Sequence, residues 1–251
     1  MNTLEGKVAI VAGGARDIGR AVSVKLASGG AKVVVNYYNN TEEGDVTVKA
    51  IEDAGGTAIA VGGDLTKQSD VENLVNEARK AYGDRIDILV NLVGGLVARK
   101  SLDEMDEAFF EGVVKLNLTT TFLTTKFVVP HMGDGGAIVN FASQAGRDGG
   151  GPGATAYAAA KGAVMTFTRS MAKELGPRNI RVNCLCPGMI ATAFHDTFTK
   201  DEVRTIVAGA TPLRREGVAS ECADLVAYLA SSESSFITGA SVDINGGMYF
   251  S

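Results

Sequence analysis

Residues that build metal sites and disulfide frameworks are scarce in this sequence. It has three cysteines and two histidines in 251 residues. Three cysteines without framework spacing predict no disulfide scaffold, and Cys184 and Cys186, two apart in an apparent strand, are expected to be buried thiols. His131 and His195 are too few for a histidine-based metal cluster. We therefore expect no metal site.

Long apolar runs and basic clusters are also lacking. No run approaches the roughly 18 consecutive apolar residues of a membrane span, and the N-terminal residues MNTLEGK lack the pattern of a signal peptide. The net charge is −5, and no basic cluster exceeds Arg214-Arg215, which argues against nucleic acid and anionic membranes as partners. With 45% apolar residues, the chain is expected to be a cytoplasmic globular protein that acts on a small molecule.

Short apolar runs rich in β-branched residues alternate with helical patterns along the whole chain. This alternation predicts one domain, residues 1–251, with a doubly wound α/β fold of the Rossmann type. Its seven parallel strands carry helices on both faces. Few regular patterns occur over about residues 189–219, where scattered aromatic residues are typical of a lid over a site. The alternative for this segment is an ordinary connection with a short helix near residues 200–209. The strands are expected near residues 7–12, 31–36, 57–61, 85–91, 135–141, 180–185 and 241–244.

A glycine turn follows the first strand and opens the first helix. It runs from Gly13 to Gly19, with Arg16, Asp17 and Ile18 between. Glycines at such a turn let the backbone approach a pyrophosphate, and the helix N-terminus supplies N–H donors with partial positive charge. A tight turn without a ligand is the alternative.

Tyr157 and Lys161 lie four residues apart in an alanine-rich helical stretch, so they are expected to share one helix face. A neighbouring ammonium favours the phenolate and is expected to lower the tyrosine pKa from about 10 towards neutrality. Tyr157 would then exchange a proton with a substrate oxygen. Chance spacing is the alternative, but Asp64, Asn91, Ser143 and Pro187-Gly188 also follow strands at the edge where doubly wound sheets bind ligands.

The order of these motifs resembles that of the classical short-chain dehydrogenase/reductase family over essentially the whole chain. The resemblance implies catalytic roles for Asn117, Ser143, Tyr157 and Lys161. It implies a nicotinamide dinucleotide site lined by Gly13, Arg16, Asp17, Ile18, Gly19, Tyr37, Asp64, Leu65, Asn91, Gly94, Tyr157, Lys161, Pro187, Gly188, Ile190 and Thr192.

The resemblance also implies how the site works. In reduction, Ser143 holds the carbonyl oxygen, Tyr157 protonates it as hydride arrives, Lys161 tunes Tyr157, and Asn117 anchors a water that leads to solvent. The chain departs from the family pattern at the glycine turn, where Ala12 replaces a threonine and Asp17 a glycine. It departs again after the fourth strand, where N-N-A-G reads Asn91-Leu92-Val93-Gly94.

The cofactor prediction depends on the end of the second strand, where an acidic residue excludes a 2′-phosphate. Tyr37 occupies that place, and Arg16 is available to bind a 2′-phosphate, which favours NADP(H). Because Asp17 stands beside Arg16 and no second cation follows Tyr37, NAD(H) or dual use remains the alternative.

The substrate prediction rests on the segment between Ser143 and Tyr157. Its polar, glycine-rich stretch 147–153 is expected to rim the pocket, with Arg147 and the lid residue His195 binding a carboxylate or hydroxyls. A surface ion pair of Arg147 with Asp148 or a neighbour is the alternative. We therefore expect a small polar keto or aldehyde compound, such as a uronate-derived sugar acid.

Two other functions stay open. The chain is also similar to 3-oxoacyl-ACP reductases of fatty acid synthesis, for which Arg99, Lys100, Lys126, Arg169 and Arg178 offer cations to an acidic carrier. A non-catalytic nucleotide-binding scaffold is the alternative of another class, motivated by Asp17 and Leu92. The apolar C-terminal residues 248–250 are expected to pack on a sister subunit, and the family resemblance implies a homotetramer.

Overall fold

Strand β1 is buried along its whole length, as expected for the centre of a parallel sheet. The computed structural model describes residues 4–251. Seven parallel strands form one sheet in the order β3-β2-β1-β4-β5-β6-β7, which confirms the expected fold class. The strands are β1 Val8–Ala12, β2 Lys32–Tyr37, β3 Thr57–Gly62, β4 Ile86–Asn91, β5 Met132–Phe141, β6 Arg181–Pro187 and β7 Ser241–Ile244.

Ten α-helices accompany the sheet in the described part of the chain. Helices on both faces pack on it through two clusters of buried apolar side chains, one containing Val11, Val33 and Val139 and the other Ile10, Val34 and Ile138. The alternation of these side chains along each strand separates the two layers of the core. The helices are α1 Asp17–Ser28, α2 Thr41–Asp53, α3 Gln68–Tyr82, α4 Glu107–Val114, α5 Thr120–Val128, α6 Ala145–Asp148, α7 Thr155–Leu175, α8 Ala193–Phe198, α9 Asp201–Ala210 and α10 Ala219–Ala230.

The strand order reverses between β1 and β4. These two strands pair in parallel with Ala12 opposite Asn91, while β2 and β3 extend to the other side of β1. The loops that leave β1 and β4 therefore diverge and open a crevice at the carboxyl edge of the sheet. The glycine turn lies at this reversal.

The helical region between β4 and β5 is interrupted. A π-helical turn, Lys115–Thr119, separates α4 from α5 and contains the buried Asn117. π-helical turns widen the hydrogen-bonded ring by one residue and frequently occur at functional sites. The spacing of apolar residues did not reveal this turn.

The segment 189–219, which we call the lid segment, contains two helices. Helix α9 matches the short helix that the sequence suggested, whereas α8 was not expected. Ile190 and Gly217 form an isolated parallel bridge that brings the two ends of the segment together. Among residues 4–251, no helix combines the length and the apolar character needed to cross a membrane.

Candidate active site

A cavity of about 1480 Å³ opens at the carboxyl edge of the sheet and extends beneath the lid segment. It exceeds the roughly 300–1,000 Å³ of a typical small-molecule site. Of the expected site residues it is lined by Gly13, Arg16, Asp17, Ile18, Tyr37, Asp64, Leu65, Gly94, Ser143, Tyr157, Lys161, Pro187, Gly188, Ile190, Thr192 and His195. Gly19, Asn91, Asn117 and Arg147 lie outside its lining.

The glycine turn has the tight geometry that the motif predicts. Gly13 adopts φ +80°, and its N–H donates to the side-chain oxygen of the buried Asn36 at 3.1 Å. A Cβ atom at Gly19 would lie 2.0 Å from the carbonyl oxygen of Gly13. Gly19 thus lets the first turn of α1 pack against the glycine turn, and its role is one of backbone packing.

Asp17 connects the glycine turn to the lid segment. This residue adopts φ +48°, a conformation that glycine tolerates better than other residues. Its carboxylate accepts a hydrogen bond from the N–H of Ala193, the first residue of α8, at 3.3 Å. Arg16 Nε lies 4.0 Å from the same carboxylate, and the Arg16 side chain is largely exposed.

The end of β2 is filled by the ring of Tyr37. Cβ atoms added at Gly44 and Gly62 would lie 2.7 and 2.9 Å from ring carbons of Tyr37, so the ring is packed between these two glycines. Asn39, Asn40 and Glu43 also line this end of the cavity. The cavity wall therefore offers both a cation at Arg16 and a carboxylate at Glu43.

Asp64 is oriented by hydrogen bonds at the end of β3. Its Oδ1 accepts from the N–H of Thr66 at 3.1 Å and from the Thr66 hydroxyl at 2.7 Å. Partial burial opposes ionisation, but these hydrogen bonds and the charge of Lys67 hold the pKa of Asp64 below its usual value. A fixed carboxylate therefore lies at this end of the cavity.

Ser143, Tyr157 and Lys161 meet at the opposite end of the cavity. Ser143 follows β5, and its Oγ accepts from the N–H of Ala145 at 3.1 Å. Tyr157 and Lys161 both lie on α7, and Lys161 Nζ is 5.8 Å from the centroid of the Tyr157 ring. The structure thus brings together the three groups that the sequence placed in one stretch.

The pKa of Tyr157 differs from the sequence expectation. Burial raises the pKa of this phenol above its ordinary value, and the hydrogen bond with Ser143 opposes the rise without reversing it. Lys161 Nζ donates to the carbonyl oxygen of Phe141 at 2.7 Å, and its charge does not reverse the rise. Burial also lowers the pKa of Lys161 to about 8, which weakens its charge above that pH.

Asn117 is fully buried beside this group. Its side-chain oxygen accepts from the N–H of Gly95 at 3.0 Å, and its amide donates to the carbonyl oxygens of Gly95 and Val113, each at 2.9 Å. A Cβ atom at Gly94 would lie 2.5 Å from the Asn117 side-chain oxygen and 2.9 Å from Lys161 Nζ. Asn117 therefore holds the loop after β4 against the active-site end of the cavity.

Asn91 lies inside the fold and does not reach the cavity. Its amide donates to Asn140 Oδ1 at 2.9 Å and to Thr125 Oγ1 at 3.2 Å, and its own oxygen accepts from Thr124 at 2.5 Å. Asn140 continues the network to Thr168 of α7 at 2.9 Å. Direct cofactor contact by Asn91 was expected, but in this structure Asn91 joins β4 to β5 and α5, and Asn140 extends the network to α7.

Arg147 also differs from its expected position at the substrate. Its Nε donates to Asp243 Oδ1 at 2.6 Å, and a second guanidinium nitrogen donates to the carbonyl oxygen of Ser241 at 2.6 Å. Both charged side chains are mostly buried, with 14% and 18% exposed. Arg147 faces β7 because Asp243 offers a buried counter-charge, and the pair ties α6 to β7. This ion pair differs from the surface pair that was the alternative, because it is mostly buried and its partner is Asp243.

His195 does line the cavity, on α8. Its Nδ1 is 3.0 Å from Thr199 Oγ1, and burial lowers the pKa of its imidazole, which favours the neutral form. Phe194 packs beside it, with ring centroids 5.1 Å apart, and also lies 6.0 Å from the Tyr157 ring. The sequence did not single out Phe194, whose only signal was its place two residues after Thr192.

The chain matches known oxidoreductases over nearly its full length. A family model described as Enoyl-(Acyl carrier protein) reductase matches residues 13–249. An uncharacterized oxidoreductase of Methylorubrum extorquens is 36% identical over 250 residues, which are 99% of this chain and 100% of that protein. A 3-oxoacyl-[acyl-carrier-protein] reductase of Synechocystis sp. is 36% identical over 255 residues, with 99% of each chain covered.

Solved structures also resemble this chain over nearly its full length. A short-chain dehydrogenase/reductase from Serratia marcescens superposes with a TM-score of 0.93 at 33% identity, covering 98% of this chain and 99% of that one. An NADH-dependent reductase, A1-R′, described as responsible for alginate metabolism, superposes with a TM-score of 0.91 at 31% identity, covering 100% of both chains.

Proposed function

We propose that this chain, which belongs to the short-chain dehydrogenase/reductase family and is an oxidoreductase, reduces a small polar keto or aldehyde acid with a nicotinamide cofactor. A uronate-derived sugar acid is the substrate type we favour. The observation that carries the proposal is the meeting of Ser143, Tyr157 and Lys161 at one end of a cavity whose other end is the glycine turn.

The residues at the reacting end divide the work. The raised pKa of Tyr157 keeps its phenol protonated at neutral pH, so Tyr157 Oη can donate a proton to a carbonyl oxygen. The Ser143 hydroxyl, which hydrogen-bonds Tyr157, holds the same oxygen. The charge of Lys161 stabilises the phenolate left after proton donation, and Phe194 covers the Tyr157 ring against water. A bound nicotinamide cofactor supplies the hydride.

A dinucleotide fits the rest of the cavity. The volume exceeds that of a typical small-molecule site, and the glycine turn presents the N-terminus of α1, where a pyrophosphate is favourable. Gly13, Ile18, Asp64, Leu65, Pro187, Gly188, Ile190 and Thr192 are the residues we assign to cofactor binding. Asp17 places a carboxylate in this part of the cavity, which opposes the pyrophosphate charge.

We favour NADP(H) as the cofactor because Arg16 is exposed at the cavity wall and position 37 carries no carboxylate. Glu43 lies at the same wall and opposes a 2′-phosphate, so NAD(H) or dual use is the competing choice, as in the NADH-dependent relative. Comparison of kcat/KM with NADPH and NADH for wild type and Arg16→Ala decides between them. If NADP(H) is the cofactor, Arg16→Ala should lower kcat/KM more with NADPH than with NADH.

Two other functions are each distinguished from our proposal by a separate test. Reduction of 3-oxoacyl thioesters is supported by the Synechocystis relative, and a panel of sugar acids assayed beside acetoacetyl thioester distinguishes it from our proposal. The scaffold alternative requires that wild type binds NADPH and turns over no carbonyl compound, and Tyr157→Phe tests the catalytic assignment. The variant should lose turnover and keep nicotinamide cofactor binding, whereas near-full activity would exclude the assigned role of Tyr157.

We also propose a cytoplasmic homotetramer. Strand β7 is at the edge of the sheet, and the side chains of the neighbouring Phe236 and Phe250 are exposed. Exposed apolar groups beside a strand edge are typical of interfaces between subunits. Light scattering of the purified chain tests this, and a monomeric mass would contradict it.

A further inference from the structure

Arg99 lies where three segments meet at the mouth of the cavity. It belongs to the loop after β4, and its NH1 donates to the carbonyl oxygen of Pro152 at 2.9 Å. Its Nε donates to the carbonyl oxygen of Phe198, at the end of α8, at 3.3 Å. One guanidinium thus connects the glycine-rich stretch 147–153 to the lid segment.

The glycine-rich stretch is shaped around this side chain. Gly153 adopts φ +76°, and a Cβ atom there would lie 2.9 Å from Arg99 Cβ and 3.0 Å from the backbone nitrogen of Lys100. A Cβ atom at Gly151 would contact Arg99 NH1 at 3.6 Å. Bulkier residues at Gly153 would displace Arg99, so the glycines give the arginine a defined position.

The charge of Arg99 is not neutralised by a carboxylate. Within residues 4–251 no acidic side chain lies within salt-bridge distance of Arg99, and both of its hydrogen-bond acceptors are carbonyl oxygens. Other arginines near the cavity are paired, as Arg147 is with Asp243 and Arg215 with Glu221. Of the five N–H groups of a guanidinium, two are used here, which leaves three.

Acidic groups near the same cavity have their own partners. Asp148 accepts from Gln144 Nε2 at 2.9 Å and from the N–H of Gly150 at 2.8 Å. Glu216 is held by Arg204 at 2.7 Å. The neutral imidazole of His195 adds a hydrogen-bonding group without negative charge. Arg99, like the buried Lys161, is therefore a cation on the substrate side of the cavity without a carboxylate partner, and unlike Lys161 it is exposed at the cavity mouth.

We propose that Arg99 binds the carboxylate of the substrate and makes the enzyme selective for keto or aldehyde acids over their uncharged analogues. The role that the sequence suggested for Arg147 thus belongs to Arg99. The inference deepens the proposed function and depends on it for the identity of the reaction. Because Arg99 is exposed at the mouth, the bound carboxylate stays partly hydrated, and the guanidinium supplies two parallel N–H donors that a lysine does not.

A matched pair of substrates tests this role. D-Glucuronate and D-glucuronamide differ in the charged group alone, and kinetics are measured for wild type, Arg99→Met, Arg99→Lys and the surface control Arg169→Met. We expect Arg99→Met to raise KM for glucuronate at least tenfold with a small change in kcat, and to leave the amide unchanged. Arg99→Lys should recover part of the loss, and Arg169→Met should match wild type. Equal losses for acid and amide would overturn the proposal, since they indicate a structural role.

A binding measurement separates this proposal from the proposed reaction. Calorimetry measures the Kd of glucuronate for the cofactor-loaded Tyr157→Phe chain, with and without Arg99→Met. Weaker binding in the double variant supports the role of Arg99 even if wild type reduces no sugar acid. Identical Kd values overturn that role even if wild type proves to be a reductase.

Discussion

The ammonium of Lys161 lies 2.7 Å from the carbonyl oxygen of Phe141, the last residue of β5. Ser143 follows two residues later, so one hydrogen bond ties the middle of α7 to the strand that delivers Ser143. The bond is buried, and it positions Lys161 beside the Tyr157 ring. The geometry of the site thus depends on contact between a helix and a strand end.

The buried state of Lys161 predicts a pH limit for reduction. Burial lowers its pKa to about 8, whereas that of Tyr157 is raised, so the phenol keeps its proton while Lys161 loses its charge. We expect kcat/KM for carbonyl reduction to be constant below pH 8 and to fall above it. In Lys161→Met the whole profile should be lower and the fall near pH 8 absent. A wild-type profile that is flat up to pH 10 would contradict the assignment.

Gly94 should not tolerate a side chain. The Cβ atom of Gly94→Ala would lie 2.5 Å from the oxygen of Asn117 and 2.9 Å from Lys161 Nζ, so one of these groups must move. We expect about a tenfold or greater loss of kcat, since a small misplacement of a reacting group is costly. Gly112→Ala on α4 is the control because nothing lies within 4 Å of its added Cβ. Equal activity of both variants would show that the site adapts.

The ion pair of Arg147 and Asp243 should stabilise the fold rather than bind substrate. Arg147→Met leaves a mostly buried carboxylate without its counter-charge, which should lower the free energy of unfolding by about 2 kcal/mol. Adding Asp243→Asn should restore part of this loss. Urea denaturation gives the energies, and KM for the acid should stay near the wild-type value. A selective rise of KM for the acid substrate would indicate that Arg147 binds the substrate.

Asp17 should weaken cofactor binding through its charge. Asp17→Asn keeps the shape of the side chain and an oxygen acceptor for Ala193 N–H, while it removes the negative charge from the glycine turn. We expect about three- to tenfold tighter NADPH binding by fluorescence titration, with the difference shrinking at high salt. Asp17→Gly also relieves the φ of +48° but releases α8. Weaker binding by both variants would mean that the contact with α8 matters more than the charge.

The periodicity and motif order of the sequence were sufficient for the parallel sheet, its alternating helices and the clustering of Ser143, Tyr157 and Lys161. These features depend on local patterns: β-branched runs such as Val8–Ala12 become buried strands, and a four-residue spacing on α7 places two side chains on one face. Strand ends of a parallel sheet meet at one edge, so residues that follow strands converge.

Only the tertiary structure decides which charged side chains pair with one another and which line the cavity without a counter-charge. Arg147 and Arg99 both lie near glycines, in the sequence or in space. Only the folded chain places Asp243 against Arg147 and two carbonyl oxygens against Arg99. The π-helical turn at Asn117 and the raised pKa of Tyr157 also depend on tertiary packing. Packing and burial depend on contacts between segments that are far apart in the chain. Local residue spacing therefore does not reveal them.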